Sequence, residues 1–175
     1  MSRLAAFTFG NLHGRPGDDH PGAREFYEWA PSVFGDLDSA PGLLSRSGGG
    51  AAGADAGPGA WGEWVTPDYG DGRDVQTLSL WSDLESLFAG AYGGKHLAAM
   101  RKRKEWFKDP VYPSHVLWWV DDDHTPTWQE ACERHHQLHE DGPTASAFSF
   151  RSPFDDSGAT TRVDQDRVKE LAATR

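Results

Sequence analysis

The stretch SHVLWWV at residues 114–120 constrains the fold more than any other part of the chain. It is strongly apolar and follows two breaks at Pro110 and Pro113, so it reads as a strand. Successive side chains on a strand leave opposite faces of the sheet. Trp118 and Trp119 are adjacent, so each face carries one tryptophan and both faces have to be covered. The expectation is helices of the same chain over one face, with a ligand cavity beneath them. A partner subunit's sheet is then expected to cover the other.

The remaining pattern supplies the rest of that architecture. LAAFTFG (4–10) reads as a buried opening strand. AREFYEWAPSVFGDL (23–37) spaces Phe26, Trp29, Val33 and Leu37 as an amphipathic helix does, with Pro31 predicting a kink or break. LLSRS (43–47) and the alternating DVQTLSLWS (74–82) are further strands. Ser82 with Glu85 forms a capping box for a helix that buries Leu84, Leu87, Phe88 and Ala91. Gly93-Gly94 interrupts that helix, and HLAAMRKRKEWF (96–107) resumes it. Thr127 with Glu130 caps another helix reaching about Glu140, and AFSF (147–150) is a short last strand. The fold class is therefore α+β, an antiparallel sheet with helices on one face, formed by residues 1–150. SGGGAAGADAGPGAWG (47–62) is a Gly/Ala-rich insertion, and residues 151–175 form a polar C-terminal tail.

Charge and cysteine usage narrow the function classes. With 27 acidic against 17 basic residues the net charge is −10, which argues against nucleic acid or an anionic membrane as partner. No apolar run is long enough to span a bilayer, and the N-terminus lacks the features of a signal peptide. Cys132 is the single cysteine, so no internal disulfide forms and a reducing compartment fits. The expected location is the cytoplasm.

Helical spacing gathers the candidate chemistry around His96. Tyr92 lies four residues before it and Arg103 seven after, so the three can share the face turned toward the sheet. A buried histidine beside a fixed cation stays neutral and serves as a base or ligand, while the Arg103 fork binds an enolate or carboxylate. The structural alternative has His96 bonded to backbone and Arg103 at the surface. The run Arg101 to Lys104 cannot face one way, and most of it reads as solvated charge complementing a helix C-terminus. Met100 with Trp81, Trp106, Trp118 and Trp119 are candidates to line an apolar substrate pocket, or simply to build core and interface. His135, His136 and His139 include chelating spacings, but no third and fourth ligand can be assigned and no metal is expected. No nucleophile elbow or phosphate-binding glycine loop is present in context.

LSLWSDLESL, Tyr92, His96, MRKRKEWF, VLWWVDDDHTPTWQEA and DGPTASAFSF together resemble the DUF3291 family, from about Leu78 to Phe150. The resemblance implies a ferredoxin-like α+β barrel dimerising through its sheets, the architecture of antibiotic-biosynthesis monooxygenases. It implies no reaction, since the family name records none, and architecture alone does not assign one. The expected activity is that of a small-molecule enzyme of polyketide-like secondary metabolism without a nucleotide cofactor. It oxygenates, cyclises or isomerises an apolar oxygenated substrate, with His96 as acid/base, Arg103 as anion stabiliser and Tyr92 beside them. The alternatives are a haem-binding monooxygenase-like enzyme with His96 as ligand, and a non-catalytic dimeric ligand-binding protein. A homodimer is expected in each case.

Overall fold

The computed structural model describes residues 2–15, 17–47 and 61–174. Four strands, β1 (Ser2–Asn11), β2 (Leu43–Arg46), β3 (Asp74–Trp81) and β4 (His115–Asp121), form one sheet ordered β2-β3-β1-β4. Every pairing is antiparallel. Helix α1 (Pro21–Leu37) joins β1 to β2, and α2 (Leu84–Ala91), α3 (Gly94–Arg101) and α4 (Arg103–Trp106) lie between β3 and β4. A β-α-β-β-α-β order over this sheet is ferredoxin-like, as expected.

The two faces of the sheet are packed differently. On one, Leu4, Ala6, Trp81 and Leu117 meet Leu84 and Leu87 of α2 and Phe148. On the other, Ala5, Phe7, Phe9, Leu78, Leu80, Val116 and Trp118 meet Trp61 and residues Trp128, Ala131 and Leu138 of α5 (Trp128–Asp141). The face away from the crossover helices was expected above to be covered by a partner's sheet, with one of Trp118 and Trp119 on it. The same chain covers it: Trp118 is 1% exposed, and its Nε1 donates to Glu130 Oε1 at 2.9 Å. The crossover helices keep to one face, and α5 adds a layer on the other.

Several elements depart from the sequence expectation for local reasons. α1 runs through Pro31 without a break. The one helical bond that a proline forfeits here would go to the carbonyl of Tyr27, on a half-exposed side of the helix where water can replace it. α2 is capped by Asp83, whose Oδ1 accepts from Ser86 N at 2.7 Å, so the cap falls one residue after Ser82. Residues 147–150 form no strand. The chain turns too tightly there, and Phe148 alone bridges β4, exchanging backbone bonds of 2.8 and 2.9 Å with Leu117. The segment after Phe150 docks: Phe154 and Val163 join the helix-side core, and α6 (Gln165–Ala173) packs along α2. Of the Gly/Ala-rich insertion, all but Ser47, Trp61 and Gly62 lie outside the described residues. Among the described residues no helix is long and apolar enough to cross a membrane.

Candidate functional site

A cavity of about 310 Å³ separates the helix-side face of the sheet from α1, α3 and α4. Strand alternation and register build its floor. Thr8 on β1 stands opposite Thr77 on β3 and His115 on β4, and the Thr8 and Thr77 hydroxyls are 2.7 Å apart. Ala6 and Gly10 flank Thr8 on the same face and leave room above the sheet. A Cβ at Gly10 would come within 2.9 Å of the Phe107 ring, which takes up part of that space. Phe26, Trp29 and Val33 of α1 and His96, Ala99 and Met100 of α3 form the roof. Arg103, Lys104 and Ser114 stand at exposed positions of the lining. The lining is mostly apolar with a few polar groups, as expected of a small-molecule site.

The break between α2 and α3 orients His96. Gly94 adopts φ 50°, and a Cβ there would lie 2.3 Å from Asp36 Oδ2, so both backbone and space require glycine. The next amide, Lys95 N, donates to Asp36 Oδ2 at 2.9 Å instead of to the carbonyl one helical turn back. That carbonyl, Ala91 O, lies 2.6 Å from His96 Nδ1. A carbonyl only accepts, so Nδ1 carries the hydrogen and the neutral ring keeps its lone pair on Nε2. Tyr92 is 38% exposed and packs on Phe88 and Phe150, with ring centroids 4.5 and 5.8 Å away.

The charge run divides at Lys102, where α3 ends and α4 begins. The Lys102 ammonium turns inward to Glu25, which also accepts from Trp106 Nε1 at 2.9 Å. These two bonds, Lys102 first, hold the Glu25 carboxyl below its ordinary range and tie α4 to α1. Arg103 points the other way, into the cavity lining, and its guanidinium has no ion pair among the described residues.

Of the residues singled out from the sequence, Tyr92, His96, Met100, Arg103, Trp81 and Trp106 line this one cavity. Trp118 and Trp119 do not. Trp118 belongs to the opposite face, under α5. Trp119 is on the helix side, but opposite Leu4, two register positions beyond Ala6 and the cavity floor. There it packs on the C-terminal segment and donates from Nε1 to Phe154 O at 2.8 Å.

Sequence reasoning missed the floor. Alternation along SHVLWWV already put His115 on one face with Leu117 and Trp119, and the packing of Leu117 shows that face to be the helix side. Its Nε2 accepts from Phe150 N at 3.3 Å, and burial, with His135 nearby, pushes its pKa down to about 4. Thr8 and Thr77 were hidden because register across strands is not written in either strand alone.

The other reactive groups are committed elsewhere. His135 is fully buried beneath the opposite face, with Nε2 2.5 Å from Pro113 O and Nδ1 against the Tyr69 hydroxyl. Among the described residues no group of three His, Cys, Asp or Glu side chains is arranged to hold a metal ion. Burial, then Asp68 and Glu133, pushes the Cys132 thiol up to about 11, which leaves it a poor nucleophile.

A family model described as a domain of unknown function, DUF3291, matches residues 3–165. Among solved structures, NE2512, a protein of unknown function from Nitrosomonas europaea, is 13% identical with a TM-score of 0.43; the match covers 71% of this chain and 93% of that one. SnoaB from Streptomyces nogalater, described as a cofactor-independent oxygenase, is 10% identical with a TM-score of 0.42, over 71% of this chain and 97% of that one. Likenesses at this level carry no argument about chemistry. No curated protein matches the chain significantly.

Proposed function

The chain belongs to the DUF3291 family, whose name records no reaction, and from its cavity we propose an enzyme acting on an apolar, oxygenated small molecule. The observation that carries this reading is His96, held by Ala91 O at the wall of a largely apolar cavity that Arg103 also lines. The Nε2 lone pair takes a proton from carbon next to a substrate carbonyl. The Arg103 guanidinium, at the exposed side of the lining, donates to the oxyanion that forms. The enolate is then reprotonated at another carbon, attacks a second carbonyl within the substrate, or adds through carbon to dioxygen, which takes back the proton from His96 to give a hydroperoxide. These outcomes are isomerisation, cyclisation and oxygenation, the steps that elaborate polyketide-like carbon skeletons.

The test is a panel of enolisable aromatic ketones assayed with wild type and His96→Ala. General acid–base catalysis contributes about 10²–10⁴-fold, so turnover should fall by at least the lower figure. His96 is only half-buried, so the melting temperature should move by no more than a few degrees. A folded His96→Ala protein with full activity would remove the assignment.

Haem is the cofactor worth testing, because a metal-binding histidine ordinarily donates its second nitrogen to a carbonyl, as His96 does to Ala91 O. His96 would hold the iron, and haem would supply oxidative chemistry to the cavity that Trp29 and Met100 also line. Titration of the purified protein with haem decides this, since no Soret band shift means no such site. A non-catalytic ligand-binding protein shares the cavity but not the loss of turnover in His96→Ala.

A further inference from the structure

The sheet side of the cavity holds a second polar device, formed by the exposed Ser114 just before β4 and by His115, its first residue. Phe150 N can only donate, and it approaches His115 Nε2 at 3.3 Å, so Nε2 carries the lone pair. The proton of the neutral ring is then on Nδ1, which lies 3.2 Å from Ser114 Oγ. Nδ1–H donates to that oxygen, and the hydroxyl hydrogen of Ser114 is left to donate elsewhere. Both residues line the cavity, on the sheet side, across from the helix that carries His96.

The surroundings hold this chain of bonds in one direction. The Phe150 ring packs against the His115 ring with centroids 5.2 Å apart, and Phe150 itself is wedged between Phe88 and Tyr92. Ser114 O accepts from Phe9 N at 3.0 Å, which fixes the backbone that presents the hydroxyl. The donors that hold the imidazole do not depend on the ligand. The hydroxyl is therefore preset as a donor before anything binds.

We propose that Ser114, oriented by His115, donates a hydrogen bond to a carbonyl oxygen on the bound molecule, so that the cavity selects apolar ketones over hydrocarbons of the same shape. This rests on the cavity being the small-molecule site. It adds a specificity residue, Ser114, and a positioning residue, His115, on the side opposite the acid/base.

The test uses a rigid matched pair, fluorenone and fluorene, which differ by one carbonyl. Binding is followed by quenching of the tryptophans that line the cavity, Trp29, Trp81 and Trp106. Wild type should prefer fluorenone about tenfold, the value of one hydrogen bond to a neutral donor. Ser114→Ala should bring the ratio to about one without weakening fluorene, and Ser114→Thr should restore it. His115→Phe keeps a ring against Phe150 but loses the acceptor for its amide, and should lower the ratio to about two- or threefold. Tenfold preference surviving in Ser114→Ala overturns the proposal, and survival in His115→Phe overturns the orienting role. Equal binding of the two probes to wild type overturns the proposal while leaving the cavity as a binding site. No binding of either probe overturns both.

Discussion

Replacing Trp118 with Ala tests whether the second face of the sheet is core or interface. The indole is 1% exposed and packs among Ala5, Leu80, Val120 and Trp128. Truncating a buried tryptophan to Ala costs about 3–5 kcal/mol. Losing the Nε1 bond adds little, because Glu130 keeps His124 Nε2 at 2.7 Å and an Arg134 guanidinium nitrogen at 3.5 Å. Against a typical total of about 5–15 kcal/mol, the loss is a large fraction of stability. At about 2–4 °C per kcal/mol, the melting temperature should fall by roughly 6–20 °C.

The measurement that separates core from interface is urea unfolding at two protein concentrations a hundredfold apart. If α5 and Trp61 alone cover Trp118, substitution costs the same at both concentrations. If a partner's sheet buried the indole, dilution would remove up to about 2.7 kcal/mol from wild type and little from the variant. A cost below about 1 kcal/mol, or a wild-type concentration dependence that Trp118→Ala abolishes, refutes the intrachain reading.

Two further perturbations probe the frame around the cavity. His115 and His135 have folded pKa values near 4 against an ordinary value near 6.5, so the unfolded chain binds more protons between those limits. The stability they contribute is complete above pH about 6.5 and is lost as pH falls toward 4, about 3 kcal/mol for the fully buried His135. Urea midpoints across that window should fall, and His135→Phe should flatten the slope by close to one proton; an unchanged slope contradicts the burial argument. Gly22→Ala tests the α1–α4 contact, because a Cβ there would lie 2.2 Å from the Glu105 carbonyl oxygen, a backbone atom that cannot rotate away. Helix propensity favours Ala by about 1 kcal/mol, overpacking costs about 1–3, so a net loss of stability with weaker fluorenone binding is expected. A stabilised variant would show that α4 moves freely.

What the sequence disclosed followed the rules of single elements. The spacing of Phe26, Trp29 and Val33 put one face of α1 over the sheet, and Tyr92, His96 and Arg103 do reach one cavity. What it withheld depends on contacts between elements. Alternation said that Trp118 and Trp119 part company, but nothing in SHVLWWV says which layer waits on each side. The amphipathic pattern of α5 showed that it packs, and not against which face. The polar floor needed the register of three strands, since Thr8 meets Thr77 and His115 only when β1 lies between β3 and β4. Asp36 binding Lys95 N, which frees Ala91 O for His96, joins residues 59 apart in sequence and leaves no local trace.

The cavity is better understood as clamped from both sides of the sheet than as a space under helices. Beneath the opposite face, His135 Nε2 donates to Pro113 O at 2.5 Å. One residue on, Ser114 O accepts from Phe9 N, and the next, His115, is held by Phe150 N. Tyr112 continues the same clamp: it lines the cavity while stacking on Tyr69, centroids 3.7 Å apart, and Tyr69 bonds His135. Three consecutive residues are thus fixed by donors from three different directions before any ligand arrives. Such preorganisation gives a donor at the cavity floor its selectivity, because no ordering cost remains at the moment of binding. His135 holds Pro113 O through a hydrogen on Nε2 that the ring carries whether neutral or charged, so this end of the clamp does not depend on pH. Acid that charges His115 removes the lone pair that accepts from Phe150 N, and should erode the ketone preference as pH falls toward 4.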